Sequence, residues 1–240
     1  MTFYWFGDSW VFGDELELQV GESSRKKHTF AELVSRHFQA RCVNLSSCGS
    51  SVSSIPMQFK EIIRDLDPTI DRVFFFLTAN HRTCMFDDSG EIKNILLSPY
   101  SKKHNTHPYQ EQWYKYFDNP AQRLYNYDSS INLLYLWCKS IGVTCHFSNI
   151  FTVEHESIID CTPNSAWLLP KNKCIAEWIL PVINPNTFSV VTDDHPDLTD
   201  DQWKQQKPLV EQYIRPCYAH PNINGHKKIA QHIIDLLENE

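Results

Sequence analysis

The stretch Thr2-Phe3-Tyr4-Trp5-Phe6-Gly7-Asp8-Ser9-Trp10 decides the fold. It is aromatic and β-prone as far as Phe6 and then changes at once to Gly-Asp-Ser, which predicts a buried first strand ending in a tight turn. A serine in that turn stands at the C-terminal edge of a sheet, where open α/β sheets place their ligands. If a helical turn follows, the Ser9 N–H is free to point at an anion.

Strand and helix patterns alternate outward from this point. Thr29 is placed to cap a helix, with Glu32 completing a capping box and Phe30, Leu33, Val34, His37 and Phe38 on one face. Val43 to Leu45 reads as a short second strand, followed by the Ser/Gly loop SSCGSSVSS. Ile55-Pro56 opens a helix carrying Met57, Phe59, Ile62, Ile63 and Leu66 at helical spacing, and Asp67-Pro68 closes it. Val73 to Leu77 is a continuous apolar run of the kind a central parallel strand buries on both faces. Pro120 to Ser140 has an apolar stripe of Leu124, Tyr127, Ile131, Leu134, Tyr135 and Cys138, and Val143 to Phe147 supplies a fourth strand. Ile229, Ile233, Ile234 and Leu237 mark an amphipathic C-terminal helix.

These elements predict an α/β fold: one domain over residues 1–240, a three-layer α/β/α arrangement around a central parallel sheet, with irregular insertions near 81–119 and 150–202. Ser9, Gly49 and Asn80 then fall on one sheet edge. A dinucleotide fold is disfavoured because Gly7 is not followed by the Gly-rich turn that a pyrophosphate needs, and no P-loop occurs.

Composition narrows the function classes. A formal net charge of −7 and the lack of a long Lys/Arg run argue against nucleic acid as partner. No apolar stretch reaches the length of a bilayer span, and Met1-Thr2 leads straight into the first strand without a leader pattern, so the expectation is a soluble, cytoplasmic or similarly unanchored chain with no membrane insertion. The 8 cysteines fall singly, often inside apolar segments, and none forms a Cys-x-x-Cys pair, which suits buried thiols in a reducing compartment and indicates no zinc site. Asp193, Asp194, Asp197, Asp200 and Asp201 lack the spacing and glycine of an EF-hand loop. No cofactor and no metal are expected.

Four blocks in order give the chain a resemblance to the SGNH, or GDSL, hydrolase family of esterases and lipases. They are Gly7-Asp8-Ser9 after the first strand, Asn44-Leu45-Ser46-Ser47-Cys48-Gly49, Leu77-Thr78-Ala79-Asn80, and His220-Pro221-Asn222 followed by Gly225-His226. The resemblance implies the flavodoxin-like SGNH hydrolase fold, Ser9 as nucleophile and His220 as its base. It also implies an oxyanion hole made of the Ser9 and Gly49 N–H groups and the Asn80 side-chain amide. Asp8 is expected to tie down the turn that positions Ser9, and His226 to be a packing or hydrogen-bonding residue.

Two positions depart from the family pattern. Cys217 stands three residues before His220, where the family has an aspartate. A neutral thiol does not hold an imidazole as a carboxylate does. Three readings stay open: a Ser-His dyad oriented by a backbone carbonyl or a distant acid, with Cys217 as third member; an acid from the loop of Asp193, Asp194 and Asp197; or binding without hydrolysis. Thr78 replaces a glycine, which would narrow the cavity near an acyl group, and His81 replaces an aspartate. The function expected is hydrolysis of a short acyl ester, such as an O-acetylated carbohydrate, through an acyl-enzyme; the alternative is a non-catalytic carbohydrate-binding or structural module on the same fold.

Overall fold

The computed structural model describes residues 1–78, 82–86, 92–96, 119–151, 161–179, 208, 211–214 and 220–240. Four strands, β1 (Thr2–Phe6), β2 (Arg41–Asn44), β3 (Arg72–Leu77) and β6 (Thr144–Asn149), form a sheet in the order β2-β1-β3-β6. Every pairing in it is parallel, with Phe3 opposite Cys42 and Arg72, and Phe75 opposite Phe147. The connections between parallel strands are therefore crossovers, and helices cover both faces.

The apolar run of β3 explains the layering. Phe74 and Phe76 point to one face, where they pack with Phe3 and Trp5 of β1 against Phe30, Ala31 and Val34 and against Ile229, Ile233 and Ile234. Val73, Phe75 and Leu77 point to the other, where Phe6 and Phe147 meet Ile55 and Phe59 and then Tyr127, Ile131, Leu134 and Cys138. Trp5 stacks on Phe74 at 4.2 Å between ring centres, and its indole N–H donates to Ser35 Oγ at 3.0 Å, so this buried aromatic leaves no polar group unsatisfied. The result is the three-layer α/β/α arrangement that the strand-helix alternation predicts.

The helix boundaries follow local chemistry. Thr29 caps the Phe30–His37 helix by accepting from Glu32 N. Asn119 caps the Pro120–Ile141 helix, which stops at Gly142 in the left-handed conformation. Asn222 caps the Ile223–Glu238 helix by accepting from Gly225 N, so this helix starts before Asn224-Gly225 and not after it. His37, placed by periodicity on the buried face, is exposed and lies 2.8 Å from Glu238. Helical spacing cannot separate the last residue of a face from the first residue past it.

The described part of the first insertion is more regular than its composition suggests: β4 (Arg82–Phe86) and β5 (Ile92–Leu96) pair antiparallel. Past β6 the chain makes single parallel bridges at Trp167 and Cys174, along the outer edge of the sheet, and a short helix at Ala176–Ile179. The Asp-rich segment lies outside the described residues. Among the described residues no helix is long and apolar enough to cross a membrane, and the seven described cysteines form no disulfide with one another.

Candidate active site

Ser9 sits three residues past the end of β1, as the first residue of a four-residue helix, Ser9–Phe12. Gly7 makes this abrupt turn possible: a Cβ there would lie 2.4 Å from Val11 Cγ2 and 3.2 Å from the Phe76 backbone oxygen. Asp8 holds the turn from both sides. Its Oδ1 accepts from Trp10 N at 2.9 Å and its Oδ2 from Thr78 Oγ1 at 2.8 Å, with all of this buried. Asp8 thus has the tying role expected for it. The Thr78 hydroxyl is turned onto Asp8, which makes it a brace between the first and third blocks.

The second block is fastened to the same turn. Asn44 Nδ2 donates to Val11 O at 2.8 Å, and Ser47 N donates to Gly7 O at 3.3 Å. Gly49 follows with φ of 73°, a left-handed conformation that suits glycine. The amide N–H groups of Ser9 and Gly49 donate to no acceptor among the described residues.

The last block arrives from the far end of the chain. Asn222 accepts from Gly225 N, donates from its side chain to Glu211 O and Gln212 O at 3.0 and 3.1 Å, and donates from its backbone to Tyr213 O at 2.9 Å. Gln19, ten residues past Ser9, accepts from Ile223 N at 3.2 Å. Held in this way, His220 brings Nε2 to 2.9 Å from Ser9 Oγ, across 211 residues of sequence. Its other ring nitrogen, Nδ1, lies 3.4 Å from Glu15 Oε2, and both side chains are largely buried, at 16% and 10% exposure.

Glu15 reaches that position by an unusual route. After the Ser9–Phe12 helix the chain passes Gly13 at φ 79° and then Glu15 at φ 65°. A left-handed non-glycine residue is uncommon and costs about 1 kcal/mol or more. Arg25 steadies the same turn, donating to Phe12 O at 2.8 Å with its guanidinium 3.8 Å above the Phe12 ring. In the sequence Glu15 is marked only by its place six residues past Ser9. Its Gly13-Asp14-Glu15 context was the available signal, since a glycine at the end of a short helix reverses the chain toward the helix start.

Of the other expected site residues, Asn80 and Cys217 lie outside the described residues, as do Asp193, Asp194 and Asp197. His226 is fully buried; its Nδ1 accepts from Phe30 N at 3.2 Å and its ring stacks on Phe30. Burial first, and the neighbouring His220 and His28 next, push its pKa down to about 3, so it is a neutral structural link between two helices. Burial of its sulfur and the nearby Asp14 carboxylate push the Cys48 thiol up to about 12.

Comparison with known proteins adds the fold. No family model matches the chain, and no curated protein does. Among solved structures, the X-ray crystal structure of the protein YxiM from Bacillus subtilis is similar over 99% of this chain, with a TM-score of 0.50 and 15% sequence identity. This chain spans 56% of the length of that one. The likeness concerns the path of the backbone alone.

Proposed function

We propose that the chain is a serine ester hydrolase of the SGNH type, acting on a short acyl ester such as an O-acetylated carbohydrate. One observation carries the reading: the 2.9 Å contact between Ser9 Oγ and His220 Nε2 at the C-terminal edge of a parallel sheet. The four sequence blocks support it, since three of them are laced to the first by the bonds from Thr78, from Asn44 and Ser47, and from His220.

The chemistry follows from the placement. Ser9 Oγ attacks the ester carbonyl carbon as its proton passes to His220 Nε2; the C–O π pair moves to the carbonyl oxygen. The N–H groups of Ser9 and Gly49, together with the Asn80 amide that the resemblance assigns, receive this oxyanion. Each such donor contributes about 3 kcal/mol to the transition state. Collapse breaks the bond to the alcohol oxygen, which takes the proton from His220. Water then attacks the acyl-Ser9 carbonyl, gives a proton to Nε2, and the acid leaves as Ser9 recovers its own. No metal or cofactor takes part in any of these steps.

The test is turnover of p-nitrophenyl acetate together with covalent labelling by an organophosphonate. Wild-type protein is expected to be labelled on Ser9, and Ser9→Ala and His220→Ala to lose activity by roughly 10³-fold or more. Absence of both labelling and turnover in the wild type, across several acyl lengths, sinks the hydrolase and leaves a binding module.

A further inference from the structure

Among the described residues, the carboxylate next to His220 comes from the turn that follows Ser9. Glu15 Oε2 stands 3.4 Å from Nδ1 on one side of the ring, and Ser9 Oγ stands 2.9 Å from Nε2 on the other. Among the described residues Nδ1 makes no hydrogen bond, and its approach to Glu15 Oε2 is an ion-pair contact without hydrogen-bond alignment. Glu15 and Ser9 are six residues apart on one turn, whose left-handed residues, Gly13 and Glu15, fold it back over the start of the helix.

We infer that Glu15 is the acid that positions His220, doing from the serine's own turn what an aspartate three residues before the histidine does in the family the chain resembles. The inference rests on the Ser9–His220 reading above. An ionised carboxylate only accepts hydrogen bonds, so its presence at Nδ1 sets the tautomer with the proton on Nδ1 and leaves the Nε2 lone pair facing the Ser9 hydroxyl. When Nε2 takes the serine proton, the ring becomes an imidazolium whose new charge lies against the carboxylate in a site shielded from water. Glu15 keeps its own charge throughout, and the travelling proton goes from Oγ to Nε2 to the departing oxygen. The 3.4 Å separation is long for a hydrogen bond, as catalytic contacts often are before substrate is bound, and it shortens as charge develops.

The cost of the arrangement also points to a role. A glutamate in a left-handed conformation, with its carboxylate buried, is unfavourable on both counts. The Nδ1–H edge of the His220 ring, which the chain's last block brings beside the carboxylate, offsets the second. With the acid supplied here, position 217 is released from carrying a carboxylate, and the cysteine found there ceases to be a defect.

The experiment compares Glu15→Gln, Glu15→Asp, Cys217→Ala, Ser9→Ala and His220→Ala in the full chain, each checked for folding by circular dichroism. Glu15→Gln keeps the shape and removes the charge. It is expected to lower kcat for p-nitrophenyl acetate by roughly 10²- to 10⁴-fold while KM stays within about 3-fold, by analogy with acid-to-amide changes in serine proteases. Glu15→Asp is expected to recover part of the loss, and Cys217→Ala to cost far less than Glu15→Gln. A second readout does not depend on turnover: proton NMR of the organophosphonate adduct should show a far-downfield Nδ1–H resonance that moves upfield in Glu15→Gln. A folded Glu15→Gln protein with kcat within about 3-fold of wild type and an unmoved resonance overturns the assignment. So does a Cys217→Ala loss larger than that of Glu15→Gln. Losses in Ser9→Ala and His220→Ala without one in Glu15→Gln remove Glu15 alone, whereas no loss in any of the three removes the hydrolase as well.

Discussion

Asp8 shows how one side chain can organise a site without touching substrate. Its two oxygens take up the Trp10 amide and the Thr78 hydroxyl, both buried, and so join the turn after β1 to the end of β3. Asp8→Ala strands both donors, and an unsatisfied buried donor costs about 1–3 kcal/mol. The variant is expected to lose about 3 kcal/mol in urea unfolding and to lose activity as well; an unfolding midpoint equal to that of wild type would show that the brace is dispensable. At this scale the sequence was only half readable. Asp8 beside a turn serine announces a local tie, because its partner Trp10 is two residues away. Thr78 lies 70 residues off, and nothing in its neighbourhood says that its hydroxyl is spoken for. Glu15 is harder still, since its direction is set by a left-handed backbone that only glycine or asparagine would have advertised.

Among the elements, the turn leading into the Ile223–Glu238 helix depends on a missing side chain. A Cβ on Gly225 would sit 2.2 Å from Tyr213 O and 3.0 Å from Pro221 Cβ. The same carbonyl accepts from Asn222 N, so Gly225→Ala must push apart the two segments that hold His220. The expected cost is about 1–3 kcal/mol, with a fall in kcat larger than the fraction unfolded explains. Activity and urea stability measured on one preparation check this, and an unchanged kcat in a destabilised protein would mean that His220 is held from elsewhere. Periodicity predicted the helices well where apolar residues recur over several turns, as in Pro120–Ile141 and Ile223–Glu238. It did worse in the first insertion, where the ribbon of β4 and β5 pairs residues through the backbone and leaves a weaker mark on composition.

For the molecule as a whole, two buried histidines set the response to acid. His226 is pushed down to about 3, mainly by burial. His146, stacked on Phe74, is pushed down to about 4 by burial and then by Arg72, and the Glu240 carboxylate 3.3 Å away does not reverse this. Both folded values lie below the ordinary 6.5, so between roughly pH 3 and 6.5 the unfolded chain binds more protons than the folded one. Their contribution to stability is complete above that window and is lost as pH falls through it. Urea midpoints are therefore expected to drop between pH 7.5 and pH 4.5, the choice of about 7.5 and 4.5 spanning most of the window. His226→Asn, which keeps an acceptor for Phe30 N, should flatten the drop, and an equally steep profile in that variant would remove His226 as a cause. The parallel sheet and its two helical layers were legible at this largest scale, because strand and helix patterns alternate along the chain; the order of the strands was not, since it depends on where each crossover returns.

The separation of 211 positions from Ser9 to His220 has a consequence for how the protein is made. Ser9 and Glu15 leave the ribosome together and ahead of His220, on one turn. The base that would activate the serine is among the last parts of the described chain to be synthesised. On the proposed reading, a nascent chain carries its nucleophile and its acid until His220 has been made, and remains chemically silent. It becomes an esterase only when the segment holding His220 has emerged and docked, so no unfinished product can hydrolyse anything on its way out.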